Sequence, residues 1–278
     1  MTLSIASLNS GSNGNCYYIG NSEEGVFIDA GLSCRETELR MKRLGLQMNR
    51  IRAIFISHEH SDHISGVTVL ASKYKIPVYF SQLTLKAGGF GKVRKHAFLF
   101  HAHQPVVIGN LRITAFPKKH DASDPHSFVV NANKTNIGIF TDIGEPCDQL
   151  IHYFKQCHAA FLEANYDMDM LEKGSYPFYL KNRIRSGSGH LSNLQAFELY
   201  KTYRPDHMSH LLLSHLSKEN NSPELVRHLF SSYQTDTRII ITSRDRESLL
   251  YPVQAIQKIP GSFIQKNKIT GHQQLSLF

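Results

Sequence analysis

Short runs dominated by apolar, β-branched and aromatic residues recur along the chain at 3–8, 16–19, 26–28, 51–56, 111–116, 128–130, 137–140, 210–213 and 238–241. Runs of this length and composition predict strands. Between them, apolar positions three or four apart predict helices near 34–44, 63–73, 147–156, 176–185, 191–203 and 223–232. The first of these opens with Ser33 and Glu36 in capping-box spacing, where each side chain satisfies a free backbone amide of the other's residue. No internal repeat is visible, and no Pro/Gly/Ser-rich linker interrupts the alternation before about residue 258. The expectation is one continuous α/β domain, residues 1–260, with mixed sheets covered by helices. An extension, 261–278, follows, with a strand or loop near Phe263 and then a tail.

A chain of 278 residues that is 41% hydrophobic can bury a sizeable core. The first twelve residues have neither a charged start nor a sustained apolar stretch, and no run approaches the ~18 apolar residues of a membrane span. A cytoplasmic protein with no membrane partner is expected. Cys16, Cys34, Cys147 and Cys157 show no ligand-type spacing, so they read as reduced, ordinary residues. The balance of 31 basic against 23 acidic residues gives +8, which leaves a polyanion open as partner. Sixteen histidines change the picture more, because neutral imidazole is the commonest protein ligand for metals.

The histidines cluster in His58-Glu59-His60-Ser61-Asp62-His63, directly after the apolar run 51–56 and before a helical pattern. On an extended segment His58 and His60 point the same way, so both imidazoles can hold one metal. Asp62 and His63, at the turn into the helix, can reach a second. Two ions ~3.5–4 Å apart stabilise both the attacking and the leaving oxygen of a displacement. His101-Ala102-His103 imitates the pair, but no Asp-His follows it.

The segment resembles the H-x-H-x-D-H signature of the metallo-β-lactamase superfamily. That resemblance implies an αββα sandwich of two mixed sheets flanked by helices, with the site along one edge. It also implies ligands from later strand ends: His120 after Phe116-Pro117, Asp142 after the run 137–140, and His215 after 210–213. The first ion is then assigned His58, His60, His120 and Asp142, and the second Asp62, His63, Asp142 and His215. His126, six residues beyond His120, is the rival for its place. Asp29, in Ile28-Asp29-Ala30-Gly31, matches the superfamily's first motif, whose carboxylate supports the histidine loop through hydrogen bonds; an N-cap for the following helix is the alternative. His190, in Gly189-His190-Leu191-Ser192-Asn193, resembles the histidine that faces the scissile phosphate in the nuclease and cyclic phosphodiesterase branches, where it protonates the leaving oxygen; capping the next helix is its alternative. Asp62, Asp142 and His190 are thus the candidate catalytic residues, served by two divalent ions, with zinc, manganese or iron all suited to mixed imidazole and carboxylate ligands.

Over roughly residues 3 to 250 the chain is most similar to the YycJ/WalJ group. The carrying segments are Ser10-Gly11-Ser12-Asn13-Gly14-Asn15, the histidine core, His120-Asp121-Ala122 with Asp124-Pro125, Glu163-x-Asn165-x-Asp167, and the segment around His190. The likeness implies a DNA exonuclease acting on duplex from 5′ ends. His126 departs from it, since the group tends to have glycine there. Ser12, Asn13 and Asn15 sit in a glycine-rich turn whose amides could cradle an anion, with a plain hairpin turn as the alternative, and Asn193 joins them as a candidate substrate contact. Lys92, Arg94 and Lys95, and separately Lys181, Arg183 and Arg185, are candidates for backbone phosphates. Gln274-Leu275-Ser276-Leu277-Phe278 resembles the peptide by which bacterial replication and repair proteins dock on the β sliding clamp. A small-molecule hydrolase of thioesters, lactones or cyclic phosphates, and a non-catalytic DNA-associated scaffold, remain as competing functions.

Overall fold

The computed structural model describes residues 2–255; the extension 261–278, including the segment 274–278, lies outside the described residues. The strands are β1 (Leu3–Asn9), β2 (Cys16–Gly20), β3 (Gly25–Ile28), β4 (Ile51–Phe55), β5 (Val78–Phe80), β6 (Ala97–Leu99), β7 (Val106–Ile108), β8 (Leu111–Pro117), β9 (His126–Ala132), β10 (Thr135–Phe140), β11 (Ala159–Glu163), β12 (His210–Ser214), β13 (Arg238–Ile241) and β14 (Tyr251–Val253). They form two seven-stranded sheets, ordered β14-β1-β2-β3-β4-β5-β6 and β13-β12-β11-β10-β9-β8-β7. Each sheet is mixed. In the first, β3 to β6 run parallel, and in the second, β10 to β13 do.

The side-chain period of two along each strand sorts residues between layers. Ile5, Tyr17, Ile19, Val26, Ile28 and Phe55 point between the sheets, where they meet Phe128, Ile137, Ile139, Phe161 and Leu212. Their neighbours Ala6, Cys16, Tyr18, Phe27 and Ile54 point outward under α1 (Cys34–Arg43) and α3 (Val67–Tyr74). On the far face Phe140, Ala160, Leu162, Leu211 and Leu213 pack under α5 (Asp148–Phe154), α8 (Asn193–Tyr203) and α9 (Pro223–Ser231). Helices, sheet, sheet, helices is the four-layer sandwich that the superfamily resemblance implies.

Two departures matter for the site. The helix expected over 63–73 is broken into α2 (Ser61–Ile64) and α3. At the break Gly66 donates to Ala30 O at 2.8 Å, and a Cβ there would lie 1.8 Å from Leu32 O. The break thus lets the histidine segment press against the loop after β3. The second departure is β11, which opens with two alanines and has no β-branched residue, so its composition marks it only weakly as a strand.

Candidate metal centre

All the cluster residues except His190, which follows α7 (Phe178–Arg185), leave the C-terminal end of a strand. Asp29 follows β3, the segment 58–63 follows β4, His120 follows β8, Asp142 follows β10, Glu163 ends β11, and His215 follows β12. Because β3 and β4 are parallel, as are β10 to β12, these ends collect at one edge of the sandwich. Asp29, Asp142 and His215 all have positive φ, of 60°, 54° and 58°. A left-handed residue directly after a strand turns the chain sharply, and Asp and His are among the non-glycine residues that adopt it most readily.

The histidine segment is held by hydrogen bonds to its outward-facing nitrogens. Asp29 accepts from Ser57 N at 2.8 Å and from Ser57 Oγ at 2.9 Å, and its Oδ2 lies 2.7 Å from His63 Nδ1. Ser57 Oγ is 2.8 Å from His58 Nδ1, and Gly189 O is 3.0 Å from His120 Nδ1. With Nδ1 engaged, His58, His63 and His120 present Nε2 to the interior, which is how outer partners aim imidazole ligands. Gly31 permits the approach of the two loops, since a Cβ on it would lie 1.7 Å from Asp62 O.

Among the described residues, four groupings of potential ligand atoms lie within 4.8 Å of one another: His58, His60 and His120; Asp62, His63 and His215; His58, His63 and Asp142; and Asp142, Glu163, His190 and His215. His58 Nε2 and His60 Nδ1 face each other at 3.0 Å. Asp142 lies between the groups, with Oδ2 3.2 Å from His63 Nε2 and Oδ1 3.4 Å from His215 Nδ1. His120 Nε2, His215 Nε2 and Asp142 Oδ2 are buried without a hydrogen-bond partner. Three orphaned ligand-type atoms on three of these residues are what a site built for cations leaves behind, because buried polar atoms otherwise find partners. The clustered imidazoles and carboxylates therefore fit a dinuclear site.

The electrostatics agree. Burial opposes charge on His215, but Asp142, Asp62 and Glu163 outweigh it and raise its pKa to about 10. His63 is likewise raised against burial by Asp142, Asp62 and Asp29. Burial wins at His58, which is pushed well below its ordinary value, and at His120, pushed down to about 4. Carboxylates concentrated at one point thus hold positive charge there. Lys118, buried beneath the cluster, donates Nζ to Thr141 O at 2.7 Å, and burial lowers its pKa.

Glu163 is the residue that sequence reasoning placed in a matching segment but gave no role. It is wholly buried, and its Oε1 lies 2.8 Å from His190 Nδ1 and 2.9 Å from His215 Nδ1. Its Oε2 accepts from Ile143 N at 2.7 Å and Leu191 N at 3.2 Å. Burial favours the neutral acid, yet the His190 and His215 imidazoles hold its pKa at about 2. The available signal was a carboxylate closing the apolar run 159–162, the same pattern that marks Asp142.

Other residues take definite places. His190 stands at the mouth with its side chain 20% exposed. It does not cap α8, because Ser192 does so, with Gln195 completing the box. His126 lies outside the groupings, its ring 5.1 Å from Phe100 and its Nδ1 2.9 Å from Asp124 O. His101 and His103 are also outside them. Asn15 is buried rather than open to a ligand: its amide lies 3.0 Å from Asp62 Oδ2 and 3.1 Å from His63 Nε2, and its carbonyl accepts from Gly11 N. Asn193 is likewise buried, in an amide pair with Asn221 at 2.8 Å. Ser12 and Asn13 are exposed, with Asn13 Nδ2 donating to Arg244 O. In α7 (Phe178–Arg185), Arg183 pairs with Asp121, Arg185 with Glu172, and Lys181 donates to Glu172 O, so these cations already have partners. Arg94 and Lys95 are set in the segment before β6.

A family model described as "Beta-lactamase superfamily domain" matches residues 25–215, which span the site from Asp29 to His215. The chain belongs to the metallo-β-lactamase superfamily. Within it, this member is 36% identical over 232 residues to "Exodeoxyribonuclease YycJ" of Bacillus anthracis, covering 82% of this chain and 87% of the relative. It is 34% identical over 225 residues to "Exodeoxyribonuclease WalJ" of Streptococcus pneumoniae, covering 78% and 83%. Among solved structures, the metallo-beta-lactamase fold protein YhfI from Bacillus subtilis matches with a TM-score of 0.70 at 15% identity, over 91% of this chain and all of that one. The human tRNase Z short form matches with 0.61 at 16%, over 88% and 98%. These structures share the superfamily's fold, and the ligand cluster makes this member a metal-dependent hydrolase. Among the described residues no helix is long and apolar enough to cross a membrane.

Proposed function

We propose that this chain is a two-metal phosphodiesterase that degrades DNA as an exonuclease, from 5′ ends of duplex, in replication or repair. The observation that carries the reading is the open edge formed by His190, whose Nδ1 is tethered to the carboxylate that also holds His215. An imidazole fixed at one nitrogen and free at the other can give a proton to a departing oxygen. The exodeoxyribonuclease activity for which the relatives at 34–36% identity are named supports DNA as the substrate.

Two divalent cations, zinc, manganese or iron, supply an activated water and a counter-charge for the phosphate oxygens when bound. His58, His60, His120 and Asp142 would hold one, and Asp62, His63, Asp142 and His215 the other. The protein's own work is alignment. Asp29 and Ser57 fix the histidine segment, Glu163 fixes His190 and His215, and His190 protonates the leaving oxygen. The test is incubation of purified protein, with each metal in turn, with end-labelled linear duplex and single-stranded DNA. Progressive loss of the 5′ label from duplex is expected. No cleavage of either DNA with any metal, alongside hydrolysis of a thioester or lactone, would overturn the reading.

The proposal extends to the β sliding clamp as a partner. Leu275, Leu277 and Phe278 offer an apolar anchor and Gln274 an amide, a composition that suits a groove. Clamp binding by the full chain and not by a form ending at His272 is the expected result; equal binding by both would remove this partner.

A further inference from the structure

One strand outward from His215, on the same edge as the cluster, the loops after β12 and β13 and the first turns of α9 line an open cavity of about 310 Å³ with Ser10 in its wall. That volume lies within the roughly 300–1,000 Å³ of small-ligand sites. Its charged lining is Lys218, Arg227, Arg244, Arg246 and Asp245, four cations less one carboxylate, or +3. None of the four cations has a carboxylate within 4.0 Å among the described residues, although other arginines and lysines around the molecule, including Lys119, Arg183 and Arg185 beside the cluster, do. Arg244 holds Nη2 3.4 Å from Ser12 Oγ, while its Nη1 is buried without a partner. A buried guanidinium nitrogen left unbonded is costly unless something else completes it.

The cavity is fastened to the site. His215 N donates to Ser10 Oγ at 2.7 Å, Ser10 N donates to Ser243 O at 3.2 Å, and Thr242 N donates to Leu213 O at 2.9 Å. Parallel strands lie ~4.8 Å apart, so the step from the end of β12 to the end of β13 is short. One strand spacing therefore separates the loop that carries His215 from the loop that carries Arg244 and Arg246.

We propose that this cavity seats a phosphate of the polynucleotide next to the linkage under attack, an inference that rests on the phosphodiesterase reading above. Planar guanidinium forks match phosphate oxygens, and unpaired ones can bind them without first giving up an internal partner. The phosphate is either the terminal 5′ group or an internal one of the continuing strand.

The test measures binding rather than cleavage, by fluorescence anisotropy of full-length protein with fluorescein-labelled DNA duplexes carrying a 5′-phosphate or a 5′-hydroxyl, over a salt series. The variants are R227A/R246A and, as a milder pair, R227Q/R246Q; both positions are exposed, and unchanged circular dichroism checks the fold. The expected result is Kd raised about tenfold or more, with the salt slope reduced by about two, one for each arginine withdrawn from a phosphate. A weakening confined to the 5′-phosphorylated duplex assigns the cavity to the terminal group, and equal weakening on both assigns it to an internal one. Wild-type protein that cuts DNA while neither pair moves Kd overturns the cavity and leaves the nuclease intact. DNA bound through these arginines but never cut overturns the nuclease and keeps the cavity, and no binding by wild type overturns both.

Discussion

Asp29 and Glu163 are both buried carboxylates that accept hydrogen bonds behind the cluster, one at the edge of each sheet, yet they hold their histidines differently. Asp29 works through a neighbour: it binds the amide and hydroxyl of Ser57, and that hydroxyl reaches His58, while Asp29 itself reaches His63. All of these lie just past the ends of the adjacent strands β3 and β4, and Ser57 sits covalently next to His58. Glu163 instead gathers remote parts of the chain directly, with His190, His215, Ile143 N and Leu191 N on its two oxygens. The first support is layered and local, and the second is a single hub. A hub fails all at once, and a layered support fails in part.

Substitutions can break or sharpen that contrast. The largest effect is expected at Asp142, which lies between both halves: Asp142→Asn should take metal content, measured by elemental analysis, from two ions toward none and activity to background. His190→Ala comes next, lowering turnover by about 10²–10⁴-fold, the range for removing a general acid, with both ions retained. Loss of metal would instead make His190 a ligand. Glu163→Gln should weaken metal binding by about 10–100-fold, as removal of a ligand's outer partner does, and should also shift the pH profile of turnover through His190. Asp29→Asn should cost about tenfold in metal affinity, at the low end of that range, and leave the pH profile unmoved. If Asp29→Asn matches Glu163→Gln on both readouts, the distinction between hub and layers is gone.

The same contrast explains what was legible in the sequence. His58, His60, Asp62 and His63 announce themselves because four ligand types crowd six residues after an apolar run. Asp142 and His215 stand alone in the sequence and became visible through a resemblance and through their place after strands. The role of Glu163 was hidden because β11, Ala159-Ala160-Phe161-Leu162-Glu163, has no β-branched residue and so reads weakly as a strand with a carboxylate at its end. Asn15 reads from the chain as a turn residue open to ligands, and only the fold, by bringing the turn against Asp62, commits its amide inward. The basic residues show the opposite pattern. Lys181, Arg183 and Arg185 look like a phosphate patch because they are close in sequence, but Arg183 and Arg185 are neutralised by Asp121 and Glu172. Lys218, Arg227, Arg244 and Arg246 come together only in three dimensions. The alternation of strands and helices followed from local periodicity, whereas the four-layer sandwich came from the resemblance carried by the histidine segment.

The three left-handed residues at the strand ends, Asp29, Asp142 and His215, carry a consequence for how long the protein stays folded. Each adopts a backbone conformation that costs on the order of 1 kcal/mol for a residue other than glycine, and Asp142 and His215 also bury an unpartnered polar atom. Any cation that binds the folded chain and not the unfolded one offsets this by mass action. The folded fraction, and with it resistance to proteolysis, then follows the supply of metal, so starvation for the ion lowers the amount of enzyme as well as its activity.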